Sequence, residues 1–338
     1  MAGRPATIVD VARHAGVSHS TVSRVLNGYP HVSADTRARV EQAAHDLGYV
    51  ANLNARGLAG GRSGLVGVVT FEVSSSYIIG VLRGIDGELA ASEHDMMLST
   101  NRLRDQRERD HVTRLSQGPC DGLIVLIPSA SELYAEDFAA RGYPLVLIDH
   151  AATTHASTVT TQNRAGAEQA TRHLIELGHR RIGHIGGIEQ FDASDARVEG
   201  WRSTLAAHDL DHGDDLIVGG DFQRESGRVG TAELLDRPDP PTAIFAANDM
   251  AAVGVLDELR ARGLRCPDDV SVVGFDDVPE ATLMTPTLTT VRQPMEALGR
   301  EAVRLLLARI EDPAGPVAHL ELATELVVRA STGPPPTA

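Results

Sequence analysis

The stretch TIVDVARHAGVSHSTVSRVLNG, residues 7–28, decides how the N-terminal end is read. Thr7, with Asp10 three residues later, forms a capping box at the start of an apolar-periodic run through Val11, Ala12 and Ala15. That run stops at Gly16. Ser18 then caps a second helix carrying Val22, Val25 and Leu26, which ends at Asn27-Gly28. Further on, Ser33 opens a third helix that presents Val40, Ala44 and Leu47 inward and closes at Gly48. Two short helices joined by a tight glycine-containing turn make a helix-turn-helix, a unit whose second helix enters the major groove of DNA. Ala12 and Gly16 are small, as a close helix crossing requires.

The charge of the whole chain argues against this. Its 338 residues carry a formal net charge of -15, and an acidic protein repels nucleic acid. The total hides a split. All 31 basic residues are arginines. Residues 1–62 hold seven of them (Arg4, Arg13, Arg24, Arg37, Arg39, Arg56, Arg62) against the four acids Asp10, Asp35, Glu41 and Asp46, a balance of +3 that leaves −18 for the rest. Such asymmetry describes a small nucleic-acid-binding module on an acidic body.

Other classes fall away on composition. At 42% hydrophobic residues the chain supports a folded core, and its length suggests two or three domains of roughly 100–200 residues. No apolar run approaches the ~20 residues of a membrane span, and MAGRPATIVD lacks the apolar segment of a secretory signal. Cys120 and Cys266 stand apart from any CxxC or Cys/His cluster. This fits a reducing cytoplasm and argues against a disulfide scaffold or a structural zinc site.

Beyond Gly64, short apolar runs alternate with helical patterns. GLVGVVTF (64–71), DMMLST (95–100), GLIVLI (122–127) and PLVLID (144–149) read as buried parallel strands. RIGHIGG (181–187), LIVGGDF (216–222), TAIFAAND (242–249) and VSVVGFDD (270–277) form a second set. Repeated βαβ units of this kind build a doubly wound α/β body. The pattern splits near 160, so two lobes with a cleft at the carboxyl ends of their strands are expected. Asn248 and Asp276 end two of these strands, Arg197 and Gln293 add a planar fork and an amide, and Phe222 offers a flat apolar face. A polyol needs that set of groups. No Walker A, GxSxG or HExxH motif is present, GHIGG lacks the order of a dinucleotide loop, and the 14 histidines are scattered. No enzyme, cofactor or metal site is therefore expected.

Residues 7–28, with HVS at 31–33 and TRARV at 36–40, closely resemble the headpiece of the lac repressor (LacI/GalR) family. The body resembles the periplasmic sugar-binding-protein-like core of the same family through LGHRRIGHIGG (177–187), ARVEGW (196–201), FAAND (245–249), DDVSVVGFDD (268–277) and LTTVRQP (288–294). The resemblance implies an allosteric transcriptional repressor, acting as a cytoplasmic homodimer on double-stranded palindromic operator DNA and released by a small sugar or oligosaccharide. It places His19, Ser20 and Arg24 on base edges, and Thr21, Ser23, Asn27 and His31 on phosphates. A hinge helix at about 51–60 would set Asn52, Ala55 and the wedge Leu58 in the minor groove. Effector binding falls to Arg197, Asn248, Asp276 and Gln293, then Phe222 and Asp149. Phe71, Glu72 and Tyr77 lie where the family has further contacts, although TFEVSSSY departs from its commoner asparagine-proline pattern.

The implied domains are a head at 1–62 and a body at 63–331, followed by a disordered tail at 332–338. Within the body, one lobe takes 63–160 with 294–318, and the other 161–293 with a last strand in 319–331. Purine-type members of the family need a corepressor instead, which is the alternative regulator. A periplasmic-type solute-binding protein is the rival class, but it has no use for residues 1–62.

Overall fold

The computed structural model describes residues 6–26, 29, 31–49, 62–100 and 106–336. Asn27, Asn52, Ala55 and Leu58, and with them the expected hinge helix, lie outside the described residues. The chain divides into two compact units, residues 1–65 with 117–121 and the remainder. The first boundary therefore falls at 65 rather than 62. Asp121 accounts for the shift, because its carboxylate accepts hydrogen bonds from the Ser63 and Gly64 amides at 2.9 and 2.8 Å.

In the head, α1 spans Ile8–Ala15, α2 His19–Leu26 and α3 Ala34–Asp46. The Thr7 N–H donates to the Asp10 carboxylate at 2.9 Å while the Asp10 N–H reaches back to the Thr7 hydroxyl at 3.4 Å, closing the capping box. Gly16 ends α1 in the left-handed region at φ 66, a conformation that glycine adopts without a Cβ penalty. Val11, Ala12, Ala15, Val22, Val25, Val40, Ala43 and Ala44 form the core, and Leu47 packs at its edge. The Arg37 guanidinium donates to the carbonyls of Tyr29 at 2.8 Å and Val25 at 3.5 Å, tying α3 to the chain that leaves α2.

The body holds two six-stranded sheets. The first contains β1 (Leu65–Thr70), β2 (Asp95–Thr100), β3 (Gly122–Leu126), β4 (Leu145–Ile148), β5 (Ser157–Thr161) and β11 (His319–Leu322), in the order β11-β5-β4-β3-β1-β2. The second contains β6 (Ile182–Ile185), β7 (Ile217–Val218), β8 (Ala243–Ala246), β9 (Ser271–Asp276), β10 (Thr289–Arg292) and β12 (Glu325–Val327), in the order β12-β10-β9-β8-β6-β7. β10 and β12 pair antiparallel, whereas β6, β8, β9 and β10 pair parallel in sequence. Two helices, α4 (Ser76–Ala91) and α11 (Met295–Glu311), cover the first sheet. They cross at Gly84 and Gly299, where a Cβ on either would strike the other helix's backbone.

HLELATELVVR is two strands rather than one. Its first half, β11, stays in the first sheet beside β5, and only β12 reaches the second, so the chain crosses at Ala323-Thr324 and not before 319. DMMLST is not a buried strand. It forms the edge strand β2, in which every residue is exposed or half-buried. LIVGGDF contributes only the two residues of β7. Nor is the tail free from 332 onward. Thr332 bonds the His173 ring at 3.0 Å, and Gly333 exchanges hydrogen bonds with the Ser271 side chain, both at 3.0 Å.

Candidate functional site

In the head, His19, Ser20 and Arg24 are exposed on α2, with Arg24 one turn beyond Ser20, so the two share a face. The Ser18 hydroxyl lies 2.8 Å from both the Ser20 and Thr21 hydroxyls, and it also accepts from the Thr21 N–H at 3.2 Å. Thr21 and Ser23 are half-buried, and His31 is exposed between α2 and α3. This leaves a polar, solvated edge at the start of the second helix, backed by the buried Val22 and Val25.

In the body, the ends of the strands surround a cavity of about 430 Å³. Arg197, Asn248, Asp276, Gln293, Phe222 and Asp149 all line it, as do Phe71, Glu72 and Tyr77. Arg197 projects from α8 (Asp192–Ala207) and is 4% exposed. Its Nε donates to Asn163 Oδ1 at 3.0 Å and its Nη1 to the Ala247 carbonyl at 2.6 Å, which fixes the plane of the fork. Its guanidinium carbon sits 3.8 Å from the Phe275 ring centroid and 5.8 Å from that of Phe222. Asp276 Oδ1 stands 3.9 Å from Arg197 Nη1 and accepts from Gln293 Nε2 at 2.7 Å. Gln293 Oε1 in turn accepts from the Thr161 hydroxyl at 2.6 Å. The polar chain from Thr161 to Asn163 thus runs through Gln293, Asp276 and Arg197, and all five residues are buried.

Burial pushes the Asp276 carboxyl up to about 6, against the opposing pull of Arg197 and the Gln293 hydrogen bond. Asp149 is also raised by burial, although Tyr77 donates its hydroxyl to one carboxylate oxygen and Arg197 lies near. The other Asp149 oxygen is buried without a hydrogen-bond partner among the described residues. Asn248 caps α10 (Asp249–Ala261), its Oδ1 accepting from the Ala251 N–H at 2.8 Å. The pairs Asn248-Asp249 and Asp276-Asp277 each divide by role. Asp249 is fully buried, accepting from the Val278 N–H at 2.9 Å and the Thr290 hydroxyl, while Asp277 pairs with Arg292 at 2.7 Å and Arg329 at 2.6 Å. Both are structural, and their neighbours Asn248 and Asp276 face the cavity.

Sequence reasoning missed Ser76, Asp192, Asp221 and Glu280, which also line the cavity, and Asn163 behind Arg197. Asn163 follows the end of β5 and was open to the same strand-end logic as Asn248. Glu280 sits in a short 3-10 turn, where no periodicity marks it.

A helix-turn-helix head in one chain with a two-lobed body around a polar cleft is the makeup of a ligand-responsive DNA-binding regulator. The chain belongs to the LacI family of bacterial transcriptional regulators. Residues 7–52 match the family described as bacterial regulatory proteins, lacI family, and residues 171–332 match a periplasmic binding protein-like domain. The HTH-type transcriptional repressor PurR of Pectobacterium carotovorum subsp. carotovorum is 33% identical over 334 residues, covering 98% of each chain. The solved lac repressor dimer bound to operator and the anti-inducer ONPF is 30% identical, with a TM-score of 0.84 over 98% of this chain and 100% of that one. A complex of the transcriptional regulator CelR with cellobiose is 35% identical, with a TM-score of 0.74 over 96% and 99%. The protein is a DNA-binding transcriptional regulator and not an enzyme. Among the described residues, no helix is long and apolar enough to cross a membrane.

Proposed function

We propose that this regulator is a cytoplasmic repressor, which holds a palindromic operator as a homodimer and releases it when a small sugar or oligosaccharide enters the cleft. The observation that carries the reading is the buried chain Gln293–Asp276–Arg197 at the strand ends, beside the Phe222 ring. Sugar hydroxyls both donate and accept, and a pyranose presents an apolar face. A planar fork, a carboxylate, two amides and an aromatic ring answer each of those features. The likeness to a regulator solved with cellobiose supports the same class of ligand.

On the DNA side, His19, Ser20 and Arg24 read base edges, while Thr21, Ser23, Asn27 and His31 hold phosphates. Asn52, Ala55 and Leu58 act in the minor groove. One head makes few base contacts, and each mismatch costs only about 1–3 kcal/mol, so a two-fold dimer is needed to select a site. Ligand and operator then oppose each other by linkage, with a coupling of about 1–3 kcal/mol.

The test is operator binding by fluorescence anisotropy, with and without a panel of sugars and purines. A sugar should weaken operator binding by the wild-type chain, and Arg197→Ala should stay on the operator whatever sugar is added. The second reading is a purine-type regulator that needs a corepressor, the alternative the family resemblance leaves open. That reading requires a purine to tighten operator binding, the opposite sign.

A further inference from the structure

We propose that the carboxylates lining the cavity act as a charge filter: the ligand is a saccharide without an acidic group, neutral or amine-bearing, and uronic acids and sugar phosphates are excluded. The inference rests on the saccharide reading above and narrows it. Two acids, Asp149 and Asp276, stand beside Arg197, the single lining guanidinium among the described residues. Its charge is therefore already answered before any ligand arrives. Five more carboxylates line the cavity, at Glu72, Glu132, Asp192, Asp221 and Glu280, and among the described residues none of them forms an ion pair. His150 adds no free donor, since Ser131 and the Ala151 carbonyl engage its two ring nitrogens at 2.6 and 2.7 Å.

Depth decides which of these charges count. Glu132, Asp192 and Asp221 are exposed, where salt screens them. Among the described residues, Asp149 and Glu280 each keep one buried carboxylate oxygen without a partner. Glu280 is also held in place, because the Ser76 hydroxyl donates to its other oxygen at 2.6 Å from the opposite lobe. An unpaired buried acceptor is costly until a donor reaches it. A sugar hydroxyl or ammonium supplies that donor, whereas a carboxylate or phosphate supplies only more acceptors and like charge.

The filter is tested on the full-length protein by calorimetry with matched triplets. One set is glucose, glucosamine and glucuronate, the second is the galactose equivalents, and the third is cellobiose with its diamino and uronic-acid counterparts. In every triplet that binds, the acid should be at least tenfold weaker than its neutral parent, about 1.4 kcal/mol, and the amine no weaker. Glu280→Gln should narrow the gap between acid and neutral sugar by at least threefold. An acid that binds as tightly as its parent overturns the filter and leaves the saccharide reading standing. So does an amine weaker than its parent, or a gap untouched by both Glu280→Gln and Asp149→Asn. If none of the nine sugars binds, the saccharide reading falls and the filter falls with it.

Discussion

His184 is a histidine taken wholly out of water. It lies in β6, 5.8 Å from the Trp201 ring in a stacked arrangement and 4.9 Å from Phe245. Burial pushes its imidazolium down to about 3 from the ordinary 6.5. As pH falls below 6.5 the unfolded chain takes up a proton that the fold refuses, so this stabilisation is complete above 6.5 and is lost progressively toward 3. At pH 5 the difference amounts to roughly 2 kcal/mol. Asp276, raised to about 6, contributes a slope of the opposite sign, its stabilisation present at low pH and lost as pH rises toward 6. A comparison with His184→Phe isolates the histidine. Urea unfolding followed by the sole tryptophan, Trp201, should show the wild type losing roughly 2 kcal/mol more than the variant between pH 8 and pH 5. Equal losses would remove His184 from the account.

The elements meet the cavity through sharply turned strand ends. Ile127, Asp149, Gln190, Phe222 and Asp276 all have positive φ and all line it; three other described non-glycine residues share that conformation and do not. For Ile127, β-branched at φ 50, the left-handed region costs roughly 1–2 kcal/mol. Strain gathered at one place is the pattern expected of backbone held for a ligand rather than for stability, as the proposed site requires. Gly187 extends the same argument, since a Cβ there would stand far inside contact distance of Cζ of the Phe222 ring. Gly187→Ala should therefore displace that ring, weakening the tightest-binding sugar about tenfold by calorimetry while the thermal melt stays cooperative. Unchanged affinity would mean that Phe222 does not pack on the ligand. Strand ends were also where the sequence was most legible. The buried runs stop at Asn248 and Asp276, so their periodicity pointed to both residues. Glu280 was hidden because its partner Ser76 lies 204 positions away. The crossing at Ala323-Thr324 was hidden for another reason: HLELATELVVR contains no glycine or proline to break its pattern.

At the scale of the molecule, the charge splits along the chain, with +3 in residues 1–62 and −18 beyond them. Phosphate contacts release counterions, so affinity that rests on them falls steeply with salt. If the head alone carries those contacts, the two functions must separate on truncation. The cut belongs after residue 62, because Ser63 and Gly64 donate their amides to Asp121 and so secure the new N-terminus. Among the described residues, the apolar clusters of the two body sheets include no residue before Val66, so they do not draw on the head. Every residue lining the cavity also lies beyond Thr70. A chain lacking 1–62 should keep the sugar affinity of the full protein within about twofold, a difference of about 0.4 kcal/mol. It should show no operator binding at any salt concentration. The full-length protein should lose at least a hundredfold in operator affinity between about 50 and 200 mM salt. Specific operator binding by the truncated chain would move the DNA contact onto the acidic body, against the sign of its charge.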